Sequence, residues 1–365
     1  MSLREILQSY DVSRRDFMKY CTALSATLAL PTAFAPQIAE ALENEDTRPP
    51  VIWMEFQSCS GDSEAILRSS RPKVGDLILD VISLDYMEVI MAAAGHLAEE
   101  AKENTMEHYK GKYLLIIEGA IPLADGGVDC CVAGDTALNH LKKAAEGAAA
   151  VIAVGNCASY GGIPAGHPNP TEATGVQNVI SGKPIINLPG CPVNCDNLTA
   201  LVVHYLVFGS LPAVDKHLRP KFAYGKRIHD NCERRGHFDA GQYVEKWGDE
   251  GHRQGWCLYK MGCKGPQTFH NCPTLRFNDG LSWPVMAGHG CVGCAEPGFM
   301  DTMAPFYRRL PAVPGFGVES TATKLGLKVL GASAAVFGVH GIINLFRNRN
   351  VVEKVESEHL DNKEN

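Results

Sequence analysis

Val151-Ile152-Ala153-Val154-Gly155-Asn156-Cys157-Ala158-Ser159-Tyr160-Gly161-Gly162 reads as a short buried strand running into a turn bounded by glycines and carrying one cysteine. The residues before it, Thr136–Ala150, have helical periodicity. Val51–Phe56, Leu114–Glu118 and Ile185–Leu188 repeat the strand form, each short, apolar and closed by Gly, Pro or a polar residue. Met87–Ala101 reads as a second helix. Strand–helix alternation from about residue 50 to 215 predicts an α/β domain built on a doubly wound parallel sheet.

In such a sheet ligands gather at the carboxyl ends of the strands. Three loops fall there, Gln57–Asp62, Gly155–Gly162 and Pro189–Cys195, bringing Cys59, Cys157 and Cys191 toward one point. Three thiolates want a fourth donor, whether the guest is structural zinc or a cubane iron–sulfur cluster. The first loop reads Cys59-Ser60-Gly61-Asp62, so Asp62 stands where a Cys-x-x-Cys pair would place its second sulfur. Cys195 is the rival donor, and Asp62 could instead cap the Ser63–Leu67 turn.

From 216 to 315 periodicity stops and Gly, Pro, Cys, His and Trp become frequent. Two donor groups follow in succession. His229-x-x-Cys232 with Cys257-x5-Cys263 supplies one His and three Cys; Cys272 with Cys291-x-x-Cys294 supplies three Cys. Zinc could fill either, but three metal sites in succession suit iron–sulfur clusters, which relay electrons in series. A loop-rich region of this kind draws cohesion from its metal.

The whole chain has 365 residues, 13 cysteines, 45% hydrophobic and 21% charged residues, and a net charge of −7. These values exclude wholesale disorder and argue against a nucleic-acid-binding surface. Ser13-Arg14-Arg15-Asp16-Phe17-Met18-Lys19, followed by the weakly apolar Tyr20–Ala35, has the form of a twin-arginine export signal over residues 1–41, set apart from the fold. Leu325–Phe346 is apolar except at Lys328, His340 and Asn344 and is long enough to cross a bilayer core of about 30 Å. Arg347 and Arg349 then place the 347–365 tail, expected to be disordered after Val351, on the cytoplasmic side and the body on the periplasmic face.

These motifs together resemble the small subunit of nickel–iron hydrogenases over nearly the whole chain. The match rests on the leader, Gly155-Asn156-Cys157-Ala158-Ser159, Pro189-Gly190-Cys191-Pro192, His229-x-x-Cys232, Gly262-Cys263-Lys264-Gly265-Pro266 and Gly288-His289-Gly290-Cys291-Val292-Gly293-Cys294-Ala295-Glu296-Pro297. The resemblance implies a flavodoxin-like domain at 50–215 and an iron–sulfur domain at 216–315, followed by a transmembrane helix. It implies a proximal 4Fe–4S cluster on Cys59, Cys157 and Cys191, and a distal 4Fe–4S cluster on His229, Cys232, Cys257 and Cys263. A medial 3Fe–4S cluster would sit on Cys272, Cys291 and Cys294, with Pro284 where a fourth cysteine would stand. Two departures from the family are Asp62, in place of its second proximal cysteine, and Cys195, in place of a proline. Gly61 and Gly162 occupy the places where oxygen-tolerant relatives carry two further cysteines.

The resemblance further implies a nickel–iron centre in a separate large subunit. This chain would then be the electron-transfer small subunit of a hydrogen-oxidising enzyme, delivering electrons to a membrane cytochrome b or other quinone-linked partner. A proximal-cluster subunit related to complex I is the first competing reading; it shares the Cys157 and Cys191 motifs but lacks the cluster-rich second domain. A zinc-structured interaction protein is the second. Cys130 and Cys131 read as buried structural thiols.

Overall fold

The computed structural model describes residues 14–43, 48–69, 75, 81–308 and 322–361. Its centre is a five-stranded sheet of β1 (Pro50–Glu55), β2 (Ser83–Met87), β3 (Leu114–Glu118), β6 (Ala150–Val154) and β7 (Ile185–Leu188), in the order β2-β1-β3-β6-β7. All neighbours are parallel, with Val51 opposite Leu114, Leu114 opposite Ala150 and Val151 opposite Ile185. A small hairpin, β4 (Cys131–Val132) and β5 (Asp135–Thr136), lies outside the sheet, which leaves Cys131 exposed and Cys130 half-buried rather than both buried as expected. Side chains alternate between two cores even where the sequence is continuously apolar. Trp53, Leu114, Ile116 and Ile152 enter one core, and Ile52, Leu115, Ile117 and Val151 the other. Both faces are covered, which is why the strands lack polar alternation.

The predicted strands match to within a residue or two, while β2 has no counterpart among them. Ser83-Leu84-Asp85-Tyr86-Met87 is an edge strand, exposed at its start and buried at its end, so it lacks the all-apolar signature. The expected helix from Met87 is corrected accordingly. Met87 ends β2, and the helix begins at His96 after Gly95, whose φ of 57° stops any earlier start.

Helices α1 (Arg14–Thr27) and α2 (Ala35–Glu43) precede the sheet. Within it come α3 (Gly61–Leu67), α4 (His96–His108), α5 (Ala137–Gly147), α6 (Gly155–Tyr160) and α7 (Cys195–Phe208). Thr136 caps α5 by accepting from the Asn139 N–H, and Asn194 caps α7 by accepting from Asp196 and Asn197. Residues 14–43 are not set apart from the body, contrary to the expectation for a leader. Cys21, Leu24, Ile38 and Leu42 are buried in the same core as Leu198, Leu201 and Val202, and the Phe34 ring lies 5.9 Å from that of Phe208. The cause is α7 itself. It is apolar on nearly every side, so its outer face needs a cover once its inner face has met the sheet.

Residues 216–308 contain single-turn helices, Lys221–Tyr224, Arg235–Asp239, Glu250–Arg253, Cys272–Leu275 and Phe299–Thr302, joined by loops and isolated bridges. Ile228, Val244, Leu258, Trp283 and Val285 form a small core that also contains Cys272 and Cys291. Arg219, nearly fully buried, fastens this region to the first. Its guanidinium donates to Asp215 Oδ2 at 2.8 Å, to Glu296 Oε1 at 3.0 Å and to the Ala295 carbonyl at 3.1 Å.

The last helix, α8 (Ala322–Asp361), contains an apolar span at Gly326–Arg349 with mean hydropathy 1.8 and none of it buried. By length and composition it can cross a membrane. The disorder expected after Val351 gives way to helix, which continues to Asp361 through a stretch rich in Glu and free of Gly and Pro.

Candidate metal centres

The first donor group sits where β1, β6 and β7 end. Cys59 follows β1, Cys157 lies in the first turn of α6 just after β6, and Cys191 follows β7. Asp62 and Cys59 act electrostatically on Cys157, and Cys157, Asp62 and Cys59 on Cys191. Cys59 and Cys191 are exposed, so this group lies at the surface of the chain. Glycine is required beside it. A Cβ on Gly155, whose φ is +75°, would fall 1.9 Å from Asp62 Oδ2. A Cβ on Gly162 would fall 2.6 Å from the Cys157 sulfur, and one on Gly61 3.0 Å from that of Cys59.

Asp62 does not cap its own helix. The N-terminal amides of α3 are taken by Glu118 at the end of β3, which accepts from the N–H groups of Asp62 at 3.1 Å and Ser63 at 3.0 Å. Glu118 also accepts from the Trp53 indole and from the Ser58 and Ser63 hydroxyls. The Asp62 carboxylate is left to face the other loops, and its Oδ1 accepts from the Val193 N–H at 2.6 Å. Burial first, then the Glu118 charge, pushes it up to about 7, with the Val193 bond opposing. The Cys195 sulfur lies 3.8 Å from Asp196 Oδ1 and within reach of the Ser69 side chain, and Cys195 lines one cavity together with Cys191.

Cys272, Cys291 and Cys294 line one cavity of about 510 Å³, together with Cys191, His270, Trp283 and Pro284. Pro284 stands on the wall shared with these three thiols. His229, Cys232, Cys257 and Cys263 line a second, smaller pocket. Burial drives the His229 imidazole down to about 4, keeping it neutral and able to act as a ligand. The three groups abut in order. Cys191 and Cys294 act on each other across the first boundary. Across the second, the Cys291 N–H donates to the Cys263 sulfur at 3.2 Å.

Burial raises the thiols: Cys157 and Cys232 to about 11, Cys191 and Cys257 to about 12, and Cys272 and Cys291 well above their ordinary value. Such thiols ionise only against a strong local cation, and metal binding there releases protons. Among the described residues no three His, Cys, Asp or Glu side chains converge tightly enough to grip a single ion. The second and third groups instead line cavities, which fits a guest several atoms across.

Several functional neighbours escape a reading of the sequence alone. Asn156, inside the quoted motif, donates from Nδ2 to the Cys294 carbonyl at 2.8 Å and the Glu296 carbonyl at 2.9 Å, tying the first group to the second. His270 is buried with its Nδ1 3.0 Å from the Cys272 sulfur. Glu118 offers a faint signal, an acid ending an otherwise apolar strand.

The sequence profile for the C-terminal part of the NiFe/NiFeSe hydrogenase small subunit matches residues 224–307, and that of the NADH ubiquinone oxidoreductase 20 Kd subunit matches 59–205. The chain is 47% identical over 343 residues to the uptake hydrogenase small subunit of Azotobacter vinelandii, covering 94% of this chain and 95% of the relative. It is 47% identical over 348 residues to the quinone-reactive Ni/Fe-hydrogenase small chain of Wolinella succinogenes, covering 93% and 98%. Among solved structures, the NiFeSe hydrogenase of Desulfomicrobium baculatum superposes with a TM-score of 0.68 at 33% identity, over 72% of this chain and 99% of that one.

Proposed function

The chain belongs to the small subunits of nickel–iron hydrogenases, and on that premise we propose how its residues perform the electron-transfer role of such a subunit. Cys59, Asp62, Cys157 and Cys191 hold a proximal 4Fe–4S cluster. Cys272, Cys291 and Cys294 hold a medial 3Fe–4S cluster, and His229, Cys232, Cys257 and Cys263 a distal 4Fe–4S cluster. Clusters held there supply one-electron relay chemistry, with potentials set by ligand type, burial and hydrogen bonds to sulfur. The observation that carries this reading is the serial contact of the three donor groups, Cys191 against Cys294 and Cys291 against Cys263. Asp62 is preferred to Cys195 as the fourth proximal donor because its carboxylate acts on both Cys157 and Cys191, whereas Cys195, though it shares a cavity wall with Cys191, has Asp196 and Ser69 as its polar neighbours.

The nickel–iron centre resides in the partner large subunit, which covers the face where Cys59 and Cys191 are exposed. Export by the twin-arginine route through Arg14-Arg15, and single-pass anchoring by α8, put the complex on the periplasmic face of the cytoplasmic membrane. Electrons from hydrogen oxidation pass to a membrane cytochrome b or other quinone-linked subunit. The name of the Wolinella relative, quinone-reactive, supports that acceptor. The complex I-like reading is served by residues 59–205 alone and leaves the second domain without a purpose. Purifying the full chain from its native membrane tests the assignment. Iron, acid-labile sulfide and a copurifying nickel-containing large subunit are expected, whereas zinc without sulfide would sink it.

A further inference from the structure

His270 is 2% exposed, and its ring stands edge-on to that of Tyr224, with centroids 4.9 Å apart. Its Nδ1 lies 3.0 Å from the Cys272 sulfur, while its Nε2 makes no hydrogen bond. The backbone fixes this aim, because the His270 N–H donates to the Lys226 carbonyl and the neighbouring Phe269 bridges to Arg227. A neutral imidazole has one N–H and one bare nitrogen. Against a thiol either tautomer works, since S–H can donate to Nδ1. Against a sulfur that has lost its proton on binding metal, only an Nδ1–H makes the contact attractive. The proton then resides on Nδ1, and Nε2 is the bare nitrogen.

We propose that His270 is a positioning residue for the medial centre, donating Nδ1–H to the Cys272 sulfur and so holding that centre's reduction potential above what its three thiolates alone would set. A donor to sulfur withdraws electron density and favours the reduced, more negative state. The inference rests on the cluster assignment above, and iron with acid-labile sulfide in the wild-type complex establishes that first. If the complex lacks them, the assignment fails and this inference with it.

The test uses the intact complex of this chain with its large subunit, in wild-type, His270→Phe and His270→Gln forms. Each is titrated electrochemically while the paramagnetic signal of the oxidised medial centre is followed. His270→Phe should keep its iron and shift that midpoint to more negative potential, and His270→Gln, which retains an N–H, should recover part of the shift. An unchanged midpoint in iron-replete His270→Phe overturns the proposal. Should His270→Phe lose the cluster, the wild-type complex grown with nitrogen-15 histidine decides. A weak nitrogen coupling to the oxidised medial spin supports the hydrogen bond. No coupling, or one strong enough to mean direct iron ligation, overturns it.

Discussion

Asp62 owes its position to a residue with no side chain. Gly155 leaves room for the carboxylate where any Cβ would collide, and it holds a φ of +75° that costs an L-residue about 1–2 kcal/mol. Gly155→Ala should therefore displace the carboxylate and behave like Asp62→Ala, weakening iron retention at the proximal group while the other two groups stay loaded. Asp62→Cys should keep four irons with an altered potential, because a carboxylate is a harder donor than a thiolate. Cys195→Ala should be nearly silent. Loss of proximal iron in Cys195→Ala, with Asp62→Ala intact, would reverse the roles, and iron counting with redox titration reads each case. At this scale the sequence exposes the donors themselves, since cysteine spacing and the Gly and Pro around it are local. It cannot expose Glu118, which serves α3 from the end of β3. Nor can it expose His270, whose meaning lies in which sulfur it faces.

Elements are held by a few buried charges whose partners lie far apart in the chain. Arg219→Ala would leave Glu296 and Asp215 facing each other without their shared cation. Breaking a buried pair from one side costs about 3–5 kcal/mol, so denaturant unfolding should show a loss of that order, with the second domain loosening first. Glu88, at the end of the edge strand β2, accepts from the Glu55 N–H and the Tyr86 hydroxyl, and burial pushes it up to about 7. A carboxyl raised in the folded state binds a proton that the unfolded chain has released. Its contribution is therefore complete below its ordinary value of 4.5 and disappears as pH rises through about 7. Between pH 6 and 8 this amounts to about 1 kcal/mol; Glu88→Gln should remove that part of the pH dependence, seen as a smaller drop in the unfolding midpoint than in wild type. The strands β1, β3, β6 and β7 are legible because burial on both faces makes them continuous apolar runs. β2 is not, because an edge strand with one end in water mixes Ser and Asp into its pattern.

For the whole molecule, α8 predicts attachment. Ending the chain at Val318 should release an otherwise active complex into the soluble periplasmic fraction, and retention on salt-washed membranes would show that the anchor lies elsewhere. The packing of α1 and α2 onto the body is not legible in the sequence, because the apolar face that receives them belongs to a helix far along the chain. That distance sets an order in time. During synthesis α1 and α2 emerge before any strand of the sheet, whereas α7, their seat, is the last helix of the first domain to appear. Phe34 has no Phe208 to meet until then, and α7 offers its outer face only after its inner face has found the sheet. Contacts this distant in sequence close late. An N-terminal helix pair still loose thus marks a chain whose first domain is unfinished, and the pair seated marks one whose sheet is complete, so residues 14–43 carry a physical record of the folding behind them.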